Sequence, residues 1–273
     1  SFSMSLLTYQ KTSVATGADS HNVVIKDGTD TVYTGSLAGS QGFALRMPGT
    51  AQVSFTIEAP TPITVAGSDK YYVFESWDDA STNALRSFTL TTDKTLTAEY
   101  HSETTTQVGT ITLDATEEEN ATITVTATQA GYTIELDGKE DPTIAAPSGF
   151  QAVGKYVAVE HDIPPGDLNT VVTWPVELRV YYTDSEISAQ DIDESTLVMY
   201  YYNGTEWIPV SDYDSRDTTG VDTVNNYVWA RVYHFSEFAP IGRTITTTSQ
   251  AAAAVGGGEE VPDDSPRILP PVI

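Results

Sequence analysis

The chain has 273 residues, of which 38 are Asp or Glu and 13 are Lys or Arg, giving a formal net charge of −25. A polyanion of this kind repels nucleic-acid phosphates and anionic membrane surfaces, so neither is an expected partner. Cysteine is absent, which excludes disulfide scaffolds, thiolate nucleophiles and cysteine-ligated metal centres. No apolar run approaches a membrane span, and a chain that opens at Ser1 with no charged leader reads as mature and exported, its signal already removed.

Threonine occurs 40 times, glycine 19 and tyrosine 15, a composition that favours strands. Period-two patterns recur along the chain and predict half-buried strands. The first residues alternate Phe2, Met4 and Leu6 with serines. Val53, Phe55 and Ile57 follow, then Phe88 and Leu90, Leu96 and Ala98, and Ile123, Val125 and Ala127 among threonines. Tyr132, Ile134 and Leu136 alternate likewise, as do Trp174, Val176, Leu178 and Val180. Asp27-Gly28, Asp137-Gly138 and Asn203-Gly204 read as tight hairpin turns, because glycine supplies the positive φ such turns need. One short helix is expected over 184–194, with Asp184 as its N-cap.

The polar stretch HSETTTQ at 101–107 reads as a linker between two domains. Charge divides there as well, with 6 basic and 10 acidic residues before position 102 and 7 and 28 from it onward. The expected architecture is all-β: two tandem antiparallel β domains, a small module over 1–101 and a β-sandwich over 102–243, with extended termini. Pro147 to Gly149 leave open whether the second domain is one unit or two. Residues 244–273 form a low-complexity Gly- and Pro-rich tail that ends in an apolar cluster.

Residues 71–100, YYVFESWDDASTNALRSFTLTTDKTLTAEY, resemble the end of the small β repeats of bacterial and archaeal surface proteins, including the internalin B-repeat type. The segments WPVELRVYYTD, IDESTLVMYYYNGTEWIPV and VNNYVWARVYHFSEFAPIG resemble the β domain that precedes the anchoring tail in archaeal surface proteins of the PGF type. The Pro-Gly-Phe sorting motif and its terminal hydrophobic helix are missing here. The resemblance implies a cell-envelope protein of structural or adhesive type, and no reaction.

His21, His101, His161 and His234 sit in no nucleophile or paired-histidine motif, and neither a G-x-S-x-G elbow nor a P-loop is present. The expected protein is not an enzyme. Asp212, Asp214 and Asp217 place three carboxylates in one loop and are the candidate calcium ligands, against a merely solvated loop. The run Glu117 to Glu119 is a weaker cluster. Asn120 and Asn203 head Asn-x-Thr sequons and are candidate glycosylation sites. Trp207 and Trp229, with Tyr200, Tyr201 and Tyr202, read as sandwich core or as a carbohydrate-stacking face.

The ends suggest assembly. A strand that begins at the first residue needs a sheet edge, in its own domain or in a neighbour, and the apolar cluster at the far end suits a neighbour's groove. The candidate subunit contacts are Phe2, Met4, Leu6, Ile268, Leu269, Val272 and Ile273. The resulting expectation is a secreted structural subunit that forms a homopolymer, a filament, sheath or surface layer, by domain stacking and exchange of terminal strands. The alternative is a non-assembling surface adhesin or carbohydrate-binding module that binds glycans.

Overall fold

The computed structural model describes residues 4–139 and 145–245. Alternating burial along almost every segment produces strands, since successive side chains of an extended chain point to opposite faces. In the first half, β1 (Met4–Thr12), β4 (Phe43–Pro48), β6 (Ile63–Thr64), β7 (Lys70–Trp77) and β9 (Lys94–Thr105) lie in one sheet. Facing it is a four-stranded sheet in the order β3 (Asp30–Leu37), β2 (His21–Asp27), β5 (Thr50–Glu58) and β8 (Leu85–Leu90). Leu7, Tyr9, Ile25, Ile57, Trp77 and Leu96 are the centre of the core between them.

In the second half, a five-stranded sheet runs β10 (Gly109–Ala115), β11 (Ala121–Ala127), β15 (Val172–Tyr181), β19 (Tyr227–Val232) and β18 (Thr218–Asp222). Its partner contains β12 (Thr133–Lys139), β13 (Phe150–Ala152), β14 (Tyr156–His161), β16 (Val198–Tyr202), β17 (Trp207–Pro209) and β20 (Glu237–Arg243). One core runs between these layers, from Leu113 through Ile134, Leu136 and Leu178 to Phe238. The break at Pro147 to Gly149 therefore does not divide the second half. The fold is all-β, as the composition implies.

The two halves are not separated by a linker. The expected linker residues 101–105 are the second half of β9, and β9 pairs with β1 and β7 of the first half and with β12 of the second. The two partner layers are thus one continuous eleven-stranded sheet. The polarity of HSETTTQ misleads because Ser102, Thr104 and Thr106 face inward despite their hydroxyls. The Thr106 hydroxyl accepts the Tyr132 amide at 3.0 Å and so meets the requirement for a buried polar group.

The N-terminal strand differs from one reading of its pattern. β1 pairs antiparallel with β4 and parallel with β9, so from Leu7 to Tyr9 both edges are filled within the same chain. Met4 and Leu6 belong to a paired strand rather than a free arm, and Phe2, Ile268, Leu269, Val272 and Ile273 lie outside the described residues. The short helix is α2 (Asp184–Ala189), which follows α1 (Leu168–Val171). Its N-cap is Thr183 instead of Asp184, because Thr183 and Glu186 close a reciprocal capping box. Asp27-Gly28 and Asn203-Gly204 are hairpin turns, whereas Asp137-Gly138 lies inside β12.

A strand common to both cores couples their unfolding. Urea denaturation is expected to be one transition, coincident by far-UV circular dichroism and by fluorescence of Trp77 in the first core and Trp207 in the second half. Two resolved transitions would show that the halves are independent.

Candidate functional site

The path of β9 brings a cluster of polar side chains to the junction of the two halves. β7 follows one edge of β9 from Ala98 to Thr104. On the opposite edge β1 ends at Glu99 and β12 begins at Ser102, so the two strands abut with a gap beside Tyr100 and His101. The gap opens into a cleft of about 640 Å³ lined by Glu75, Glu99, Glu117, Glu118 and Asp137 against Lys139 and Lys155. Five carboxylates against two ammonium groups give it a negative field.

The turn between β10 and β11 reaches into this seam with three successive glutamates, and each has a different partner. Glu117 accepts the amide and hydroxyl of Thr16 at 3.3 and 3.4 Å. Glu118 accepts Lys70 Nζ at 2.9 Å and the Tyr72 hydroxyl, both from β7 of the first half. Glu119 accepts Lys155 Nζ at 3.1 Å and the Gly138 amide at 3.0 Å, both from the second half. The side chains of Glu118 and Glu119 are each 1 % exposed. Burial pushes the Glu119 carboxyl up to about 7, against the opposing pull of Lys155. The Tyr72 hydroxyl is also driven up, by burial and by the adjacent Glu118.

Gly138 is required by this contact rather than by a turn. A Cβ there would lie 2.4 Å from Glu119 Oε2 and 2.7 Å from the Lys155 stem, so only glycine lets the carboxylate reach the β12 amide.

Beside the cleft, on the face of the shared sheet opposite the cores, lies a second group. His101 and Glu103 are two residues apart on β9 and so share a face, and Glu135 on β12 is directly opposite Glu103. His101 Nε2 is 3.0 Å from Glu103 Oε1 and 3.7 Å from Glu135 Oε2. Burial opposes charge on His101, yet Glu103, Glu135 and Glu75 hold its pKa above the ordinary value. Glu135 is pushed up to about 7 by burial and by Glu160, Glu103 and Asp137, with His101 opposing. Glu103 stays below the usual range in spite of burial, because His101 and the Tyr71 hydroxyl bind it.

The candidate calcium ligands do not converge. Among the described residues, His101, Glu103 and Glu135 are the group of three whose ligand atoms lie within 4.8 Å of one another, and Asp212, Asp214 and Asp217 are not. Asp214 is bound by Arg216 through Nε at 3.0 Å, which keeps its carboxyl down at about 2. Asp217 turns inward, where it accepts the Tyr233 amide at 3.1 Å and faces His234 Nδ1 at 3.7 Å. Burial pushes Asp217 up to about 6 and His234 down to about 4. His234 is packed against the rings of Tyr213, Tyr201 and Phe238.

The remaining candidates have separate locations. Asn203 is exposed at the β16–β17 turn, where its carboxamide oxygen accepts the Thr205 hydroxyl at 2.8 Å. Asn120 is half-buried at a positive φ of 51° in the glutamate turn. Tyr200, Tyr201 and Trp207 are buried, and Tyr202 and Trp229 half-buried; Tyr201 is in the sandwich core, and Tyr200 and Trp207 are in a separate apolar cluster with Tyr156 and Ile241. Sequence reasoning missed the sheet-face group because it placed His101 in a linker. The signal that could have found it was the alternation His101-x-Glu103 alone.

No protein-family model matches the chain, and no curated protein matches it. Among the described residues, no helix is long and apolar enough to cross a membrane.

Two predictions follow from the glutamate turn. Glu118→Ala strands Lys70 and Tyr72 in a buried setting and is expected to cost about 3–5 kcal/mol in denaturant unfolding, whereas Glu117→Ala costs under about 1 kcal/mol. An equal effect at both positions would refute the special role of Glu118. Glu119 has a folded pKa of about 7 against an ordinary 4.5, so the folded state binds the extra proton between those values. Stability then falls as pH rises from about 4.5 to 7, by up to about 3 kcal/mol. Glu119→Gln should flatten that part of the curve, as read by melting temperature against pH.

Proposed function

We propose that the protein is an extracellular structural subunit of a cell envelope, that it self-assembles into a filament, sheath or surface layer, and that within this polymer it carries tension. The observation that carries the reading is the parallel pairing of β1 with β9, from Leu7 opposite Lys94 to Thr12 opposite Glu99. Force applied at the start of β1 and transmitted onward by β9 into the second half pulls these parallel strands past one another. Shear of that kind loads the whole ladder at once, whereas a hairpin pulled at its open end breaks one hydrogen bond at a time.

The other supports are general. The resemblance to surface-protein β modules implies an envelope address. The described sheets end in strands with one unpaired edge, including β4, β17, β3, β8, β10 and β18, and such edges are templates for contact between copies. Assembly by stacking uses these edges; exchange of β1 is not part of the proposal, since its neighbours come from its own chain.

Single-molecule pulling tests the load-bearing role. With handles at the two ends of the chain, the first half is expected to rupture in one high-force event. Thr8→Pro removes a ladder donor in the middle of the sheet and is expected to lower that force clearly. Low-force, stepwise opening of the unmodified chain would contradict the role. Negative-stain microscopy of the purified chain, with and without calcium, tests assembly: ordered polymers are expected, and uniform monomers under both conditions would favour an adhesin.

A further inference from the structure

We propose that His101, Glu103 and Glu135 together bind one divalent transition-metal ion of the zinc class on the acidic face of the shared sheet. The inference is independent of the structural function suggested above. The donors come from two adjacent strands, with their positions fixed by the β9–β12 register, in which Glu135 stands opposite Glu103 and Leu136 opposite Ser102. Their ligand atoms all lie within 4.8 Å of one another, and His101 Nε2 is 3.0 and 3.7 Å from the two carboxylate oxygens. Tetrahedral zinc, with bonds of about 2.0–2.2 Å to nitrogen and oxygen, spaces its ligands about 3.3–3.5 Å apart, so small side-chain movements would place the three donors around one ion.

The strand register also favours a bound cation. Glu103, Glu135 and Glu160 are consecutive cross-strand partners on β9, β12 and β14, an arrangement in which like charges directly oppose one another. Asp137 and Glu75 add to the same field. Lys139 is engaged by Asp137 at 3.4 Å, and among the described residues the ion pairs of Glu103 and Glu135 are with the His101 imidazole. A divalent ion placed among these carboxylates offsets this repulsion.

The donor set selects the class of ion. Imidazole suits zinc, copper, nickel and iron, whereas calcium and magnesium prefer an all-oxygen shell. The Tyr71 hydroxyl that binds Glu103 is placed as an outer-shell partner of a ligating carboxylate. The His101, Glu103 and Glu135 side chains are 12, 14 and 22 % exposed, which gives an ion access and leaves its remaining positions to water. An ion held here would tie β9 to β12 next to the seam.

The test uses the full chain after treatment with chelator. Calorimetric titration with Zn²⁺ and absorption titration with Co²⁺ are expected to show one saturable equivalent, and Zn²⁺ is expected to raise the melting temperature. His101→Gln and Glu135→Gln should each weaken binding on the order of a hundredfold or more, while Asp214→Asn, outside the donor group, leaves it unchanged. Nitrogen NMR of the histidine rings in the unmodified chain keeps the test decisive if a variant fails to fold: Zn²⁺ should shift His101 and leave His21, His161 and His234 in place. Absence of saturable binding, full binding by His101→Gln, an unmoved His101 ring, or equal affinity for Ca²⁺ would each overturn the proposal.

Discussion

Glu118 and Glu119 are adjacent in the chain but answer to different halves of the molecule, and this divided attachment holds the seam together. Glu118 is bound by Lys70 and Tyr72 on β7, and Glu119 by Lys155 and the Gly138 amide. A carboxylate in a nearly dry site is costly unless paired, and removing one partner of such a pair is more damaging than never having built it. The turn between β10 and β11 therefore fixes where the second half stands against the first. Gly138, the inward-facing hydroxyls of β9 and the end-to-end meeting of β1 and β12 are all consistent with that constraint.

Along β9 and β12 the continuous sheet has two chemically unlike faces, whereas over β14, β16, β17 and β20 side chains that alternate with the sandwich core form a second apolar cluster, with Tyr156, Tyr200, Trp207 and Ile241. One face supplies the apolar layer of both cores. The other, along β9, β12 and β14, has Glu103, Glu135, Glu160 and Asp137, with His101 among them. Acidic residues cluster near the seam, in the cleft and on this face, where they perturb the titration of several groups at once. The unusual electrostatics and the junction of the two halves thus share a location because β9 passes through both.

The load-bearing reading and the cation reading concern the same strand but rest on different physics. The first depends on strand direction, since parallel neighbours shear where antiparallel hairpins unzip. The second depends on donor spacing and on opposed like charges. Either can stand without the other. A cation between β9 and β12 would also reinforce the junction on the side facing away from the cores, whereas the glutamate turn acts within the cleft.

The amino-acid sequence by itself determined the all-β class, most of the strands and two of the three hairpin turns, because alternation and Gly-bearing dipeptides act over a few residues. It marked the change from one core to the other near position 101, but composition could not tell a polar linker from a strand whose serine and threonines face inward. The acidic loop at Asp212 to Asp217 looked like a site because its carboxylates are close in sequence, yet Arg216 and an inward turn of Asp217 keep them apart. His101, Glu103 and Glu135 meet only through pairing of β9 with β12, and Glu118 finds Lys70 across 48 positions of chain. Contacts of that range follow from sheet register and layer packing, which the tertiary structure alone decides.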